Sequence, residues 1–82
     1  MKLFIKNIDD SVNEAQLEFL FARFGEVEST KIIYDRITWQ SKGYAFMDMP
    51  DKEEAIKAIE ALNGFELKGK ALIVQEAEER RK

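Results

Sequence analysis

Two short stretches alternate in a way that points to a sheet with only one covered face. Leu3-Phe4-Ile5-Lys6-Asn7-Ile8 and Lys42-Gly43-Tyr44-Ala45-Phe46-Met47-Asp48-Met49 both have the composition of strands. Side chains along a strand project to opposite faces in turn, so Tyr44 and Phe46 share one side while Ala45 and Met47 share the other. In the first stretch Leu3 and Ile5 make a wholly aliphatic side, and Phe4 and Lys6 occupy the opposite one. Only one side can be core. If the aliphatic sides face inward together, Phe4, Lys6, Lys42, Tyr44 and Phe46 are left on a solvent-facing surface, an arrangement that apolar burial alone would not produce.

The remaining elements fit around those two strands. Asn13 with Gln16 three residues later predicts a capping box, and Leu17, Leu20, Phe21 and Phe24 recur at helical spacing before Gly25 is expected to stop the helix. Asp51 and Glu54 repeat that logic after Pro50, with Ala55, Ala58, Ile59 and Leu62 as the apolar stripe and Asn63-Gly64 as the end. Phe21 and Phe24 lie on the helical stripe and are expected in the core. Between the helices Val27, Thr30 and Ile32 line the inner side of a second strand, with Lys31 and Ile33 outward. Leu72 and Val74 do the same for a last strand, with Ile73, Gln75 and Ala77 outward. Strands and helices in this order predict an α+β domain, a ferredoxin-like βαββαβ sandwich whose four-stranded antiparallel sheet carries two helices on one face and leaves the other bare. Gly64 and Gly69 read as separated turn glycines and not as a phosphate cradle.

Composition narrows the chemistry. An 82-residue chain with 45% hydrophobic residues supports one compact core. Residues 1–77 are assigned to it, and 78–82 to a charged C-terminal tail. Cysteine and histidine are both absent, which removes disulfides, thiolate zinc sites, the commonest metal ligand and the commonest general base. No metal and no cofactor are expected. No apolar run approaches the roughly 20 residues needed to span a bilayer, and a strand beginning within two residues of Met1 leaves no room for a leader, so the expectation is a cytoplasmic protein with no membrane association, with nucleus or organelle as the eukaryotic variant. The net charge of -3 argues against strong non-specific binding to polyanions. Its distribution matters more. Asp9, Asp10, Glu14, Glu18, Asp51, Glu53, Glu54 and Glu60 fall in the loop and helices behind the sheet, while parity places Lys2, Lys6, Lys31 and Lys42 on the open face against Asp48 alone.

Exposed rings among lysines are what unstacked nucleobases and phosphates bind. The second stretch resembles the ribonucleoprotein octamer of RNA-recognition motifs: a basic residue, glycine, an aromatic, a small residue, an aromatic, an aliphatic, any residue, an aromatic. It departs at Met47 and Met49, both predicted inward. Leu3 to Ile8 resembles the family's partner hexamer at every fixed position. The likeness continues through Phe24 to Val27, Asp35-Arg36, Ala55 to Leu62, Asn63-Gly64 and Leu72 to Ala77, so that the chain resembles a small stand-alone RNA-recognition motif.

That resemblance implies single-stranded RNA as the partner and a monomer as the binding unit. It implies that Phe4 and Phe46 each stack a base, that Tyr44 packs against the intervening sugars and that Lys42 pairs with the phosphate between them. Lys6, Lys31 and Gln75 would serve at the sheet edges, and backbone groups after Val74 would read base edges. Lys2, Trp39, Asp48, Ile73, Ala77 and Arg80 are secondary candidates at the rim. Their rings being outward, Phe4 and Phe46 are expected to contribute little to stability. Trp39 occupies a loop position where related motifs commonly carry glycine, and its indole is expected to pack on its own strands, the alternative being a ring that reaches beyond the sheet edge.

The sequence admits other readings. The sheet rings could be covered by a terminal segment or a partner. Arg80 to Lys82 could be solvated charge only. Single-stranded DNA could replace RNA, since only contacts to the 2′-hydroxyl separate them. Some RNA-recognition motifs bind peptides through their helices or sheet, and an acidic chain suits a basic peptide. Catalysis is not expected: the architecture is shared with small acylphosphatases, but the loop Asn7 to Val12 carries Asp9 and Asp10 with no cation to hold a phosphate.

Overall fold

The computed structural model describes residues 1–77, and for Ser41 and Lys42 the backbone alone. In chain order the elements are β1 Lys2–Lys6, α1 Glu14–Ala22, β2 Ser29–Tyr34, β3 Ser41–Asp48, α2 Lys52–Leu62, β4 Glu66–Leu67, β5 Lys70–Ala71 and β6 Ile73–Glu76. Four of the strands form one sheet in the order β2-β3-β1-β6, every neighbouring pair antiparallel. The ferredoxin-like βαββαβ order read from the sequence is therefore the one found, with an addition. β4 and β5 form a separate hairpin between α2 and β6. Its two-residue turn, Lys68-Gly69, has φ of 54° and 86°, positive at both positions as a type I′ turn requires. Two-residue strands carry no alternation to read, which is why the sequence shows only the turn glycine.

Both helices start where local chemistry directs. The Gln16 amide donates to Asn13 Oδ1 at 2.8 Å and the Asn13 amide to Gln16 Oε1 at 3.0 Å, closing the predicted capping box. Asp51 caps α2 by accepting from the Glu54 amide at 3.0 Å. Glu54 does not complete a second box. Its carboxylate accepts from the Glu26 amide at 3.3 Å and ties α2 to the segment after α1. α1 ends at Ala22 with Arg23 as its C-cap, before the expected stop at Gly25. What Gly25 supplies is room, since a Cβ there would lie 2.5 Å from the Glu54 Cβ.

The core lies between the sheet and the helices. Leu3 and Ile5 of β1, Ala45 and Met47 of β3, Ile32 of β2 and Val74 of β6 are buried against Leu17 and Phe21 of α1 and Ala55, Ala58 and Leu62 of α2. Met49 is fully buried, so both octamer departures are core substitutions, as their parity predicts. Phe24 is only half-buried, packed against the margin of the cluster. Thr30 sits on the predicted inner side, where its hydroxyl is buried with no hydrogen-bond partner. Tyr34 also turns to the helical side, its hydroxyl donating to Glu14 Oε1 at 3.1 Å. Partial burial first, and then this carboxylate, raise the Tyr34 pKa above the ordinary tyrosine value.

Candidate nucleic-acid interface

Strand register assembles the open face into three rows. The central row crosses all four strands: Lys31 of β2 is paired with Phe46 of β3, Phe46 with Phe4 of β1, and Phe4 with Gln75 of β6. Toward one end, Lys6 is paired with both Tyr44 and Ile73. Toward the other, Asp48 is paired with Ser29 and Lys2, and the Ala77 amide donates to the Lys2 carbonyl at 2.8 Å. The structure thus brings together Phe4, Lys6, Lys31, Tyr44, Phe46 and Gln75, with Lys2, Asp48, Ile73 and Ala77 around them. Parity places these residues on one face, and it does so correctly because the other face of the sheet is buried and fixes the register. Ser29 belongs to the same face and was missed, although the inward assignment of Thr30 implies it. Its hydroxyl lies 3.4 Å from Asp48 Oδ2, so the one acid of the face among the described residues has a local partner.

The rings are engaged with one another. Phe4 and Phe46 stack with centroids 4.9 Å apart and planes inclined by 15°, and Tyr44 meets Phe4 edge-on at 5.7 Å and 75°. An ammonium sits over each stacked ring, Lys6 Nζ at 5.6 Å from the Phe4 centroid and Lys2 Nζ at 5.9 Å from that of Phe46. All three aromatics are half-buried. The arrangement is a stacking surface with its own cations already in place, and a planar ligand that enters it takes over contacts the rings and lysines now make with each other.

Two fixed positions of the motifs have backbone reasons. Gly43 has φ of 86°, which favours glycine, and its carbonyl accepts from the Ile8 amide at 2.9 Å. That conformation interrupts the alternation of β3 just before Tyr44. Asn7 ends β1 at φ of 62°, a conformation asparagine tolerates, and its side-chain amide donates to the Ala71 carbonyl at 2.8 Å, fastening the strand to the small hairpin. The Lys42 side chain, Arg80 and the tail 78–82 lie outside the described residues.

Charge is divided between the layers. Lys2, Lys6 and Lys31 stand on the open face against Asp48, whereas Glu14 and Glu18 belong to α1 and Glu53, Glu54 and Glu60 to α2. In the loop after β1, Asp9 accepts hydrogen bonds from the Ser11 hydroxyl and, at 3.0 Å, the Ser11 amide, and these bonds hold its carboxyl below the usual carboxylate range. Among the described residues no group of acids or other ligating side chains is placed to hold a metal. No helix among the described residues is long and apolar enough to cross a membrane.

Phe19 and Trp39 are exposed aromatic side chains outside the sheet face. Phe19, on the outer side of α1, is 74% exposed and lines a cleft of about 340 Å³ with Val12, Ala15, Gln16, Leu67 and Lys68. Helical spacing gave no reason to single out Phe19, because the cleft also depends on Leu67, far along the chain. Trp39 is 75% exposed, contrary to the expectation that it packs on its own strands. The cause is the backbone: the Trp39 amide donates to the Asp35 carbonyl at 2.8 Å, closing a helix-like turn, and Trp39 then takes φ of 61°. Such a left-handed conformation costs a non-glycine residue about 1–2 kcal/mol.

Comparison with known proteins agrees with this fold. The family model described as RNA recognition motif matches residues 3–73, and the chain belongs to that family. The family binds RNA and is not enzymatic. The chain is 43% identical over 74 residues to the 29 kDa ribonucleoprotein A, chloroplastic, of Nicotiana sylvestris, a match that takes in 90% of this chain and 27% of the relative. The chain therefore spans about a quarter of that relative's length. Among solved structures, the crystal structure of RNA binding protein PG1 superposes with a TM-score of 0.93 at 39% identity, over 100% of this chain and 99% of that one. The Rna15 motif with bound RNA (GU) superposes with a TM-score of 0.86 at 29% identity, over 95% and 83%. Several plant relatives are named chloroplastic, which fits the organelle variant of the expected location and not a plain cytoplasmic one.

Proposed function

We propose that this domain binds single-stranded RNA, as a monomer, across the open face of its sheet. The observation that carries the reading is the row Lys31, Phe46, Phe4, Gln75: two stacked rings at the centre of the sheet, flanked on one side by a cation and on the other by an amide. Phe4 and Phe46 each take a base, and Tyr44 lies against the sugars between them. Lys2 and Lys6 exchange their positions over the rings for phosphate oxygens, and Lys31 and Gln75 complete the edges, with Lys42 as the phosphate partner that the octamer implies. Stacking on aromatic rings is tolerant of base identity, and backbone contact through a few lysines suits a net acidic chain that must still hold a polyanion on one side.

Titration with fluorescent pools of single-stranded RNA and DNA, with the sheet amides followed by NMR, tests this directly. Shifts confined to β1, β3 and their neighbours on addition of RNA are expected. Equal affinity for DNA would mean that the 2′-hydroxyl is not read. The rival reading is a peptide-binding module, and the observation in its favour is the apolar cleft at Phe19. Shifts at Val12, Ala15, Phe19 and Leu67 with a basic peptide, and none on the sheet with RNA, would favour that rival.

A further inference from the structure

The β2–β3 loop presents a combination that folding does not account for. Trp39 occupies a left-handed conformation at φ of 61°, which a bulky side chain adopts only when its surroundings impose it. The surroundings do impose it: Asp35 Oδ1 accepts from the amides of Ile37 at 2.8 Å and Thr38 at 3.0 Å, its carbonyl accepts from Trp39, and its amide donates to the Gln40 carbonyl at 2.8 Å. A glycine would satisfy every one of these bonds without strain. The indole nonetheless gains no compensating burial, being 75% exposed, and Ile37 beside it is 88% exposed. Strain without burial is a cost to the isolated domain, so the ring's use lies in something the isolated domain lacks.

Position and charge indicate what that is. β3 overhangs β1 at this end, since β1 ends in register with Tyr44 while β3 begins at Ser41. The loop therefore continues the sheet beyond the row that holds Tyr44 and Lys6. The segment from β2 to Gly43 contains Lys31, Arg36 and Lys42 against Asp35 as its only acid, a local excess of positive charge in a chain of net charge -3. One oxygen of that acid, Oδ1, is moreover turned to the loop's own amides. A basic peptide is the wrong partner for such a segment. We infer that Trp39 is a stacking platform for single-stranded RNA that runs off the sheet past Tyr44, held in a strained turn so that the ring stays in solvent until a base covers it. This rests on the reading of the sheet as the RNA site and extends it by one base beyond the four strands.

The test opposes stability to affinity. Trp39→Gly relieves the strain and Trp39→Asn nearly so, because both residues accept a left-handed backbone; each should melt at or above the temperature of the unchanged protein. Both should bind single-stranded RNA of about 12 nucleotides more weakly by about fivefold or more, yet bind RNA of about 4 nucleotides, too short to leave the sheet, unchanged. Trp39→Tyr should restore most of the affinity for the longer RNA. Trp39 is the only tryptophan of the chain, so its fluorescence should respond to the longer RNA and not to the shorter. A Gly variant that binds the longer RNA fully, while Phe4→Ala, Phe46→Ala does not, overturns the inference and leaves the sheet as the site. A melting temperature lowered by several degrees in both Gly and Asn variants also overturns it, by showing that the indole packs on the domain. Absence of RNA binding by the unchanged protein sinks both readings, and a fluorescence response to basic peptides with none to RNA does the same.

Discussion

Phe4 and Phe46, paired across β1 and β3, stack on each other with centroids 4.9 Å apart, so each ring of the candidate site is also its partner's support. This changes what their removal should do. A base stacked on an aromatic ring contributes about 1–3 kcal/mol, so Phe4→Ala and Phe46→Ala should each weaken RNA binding by about 5- to 150-fold. The pair itself is worth about 0.5–1.5 kcal/mol, so each variant should also melt several degrees lower, where outward parity alone suggested little change. Because one ring props the other, the double variant should lose less affinity than the two single losses combined. Titration well below all the melting temperatures separates the effects, and full-strength binding by the double variant would show that the sheet is not the site.

Salt dependence distinguishes phosphate contacts from stacking. If about 3 to 5 phosphates are neutralised, the slope of log affinity against log salt should lie near -2 to -3.5 for a single strand. Lys31→Gln should make that slope shallower by about 0.7, as should Lys42→Gln, without changing which bases are preferred. A slope near zero for the unchanged protein would favour the peptide reading.

Features set by near neighbours in sequence were legible, and those set by distant contacts were not. Leu3 and Ile5 against Phe4 and Lys6 disclose the two faces because strand parity is local, and Asn13 with Gln16 discloses a helix start because the capping box spans three residues. The ring-on-ring geometry of Phe4 and Phe46 depends on a register between strands some forty residues apart, so the sequence placed them on one face but could not stack them. Glu54 stands at the capping-box position three residues after Asp51, but it bonds to Glu26 because Gly25 lets α2 approach. The exposure of Trp39 follows from Asp35 closing its turn, which composition does not reveal.

Thr30 offers a test of the core that spares the open face. Its hydroxyl is buried without a partner, although it lies in a β-strand where valine is equally suited. Thr30→Val exchanges an unsatisfied polar group for a methyl of nearly the same shape, which should raise stability by about 1 kcal/mol and the melting temperature by several degrees. RNA affinity should be unchanged, since Thr30 faces the helices. Loss of stability in denaturant unfolding would imply that the hydroxyl is satisfied in solution.

Alkaline pH should reveal the contact between Tyr34 and Glu14. Burial and the neighbouring carboxylate both raise the folded pKa of Tyr34 above its unfolded value of about 10, so the folded state retains the phenolic proton more tightly than the unfolded chain. The stability this contributes is fully present below the unfolded pKa and is lost as pH rises through the folded one. Tyr34→Phe removes both the titration and the 3.1 Å hydrogen bond, and should cost about 1 kcal/mol at neutral pH. Lysine titration affects both proteins alike, so the difference between them isolates the tyrosine. That difference, measured by denaturant unfolding at a series of pH values, should be constant up to about pH 10 and shrink above it. A difference that stays constant through this range would show that the folded and unfolded tyrosines titrate together and that the bond to Glu14 does not persist in solution.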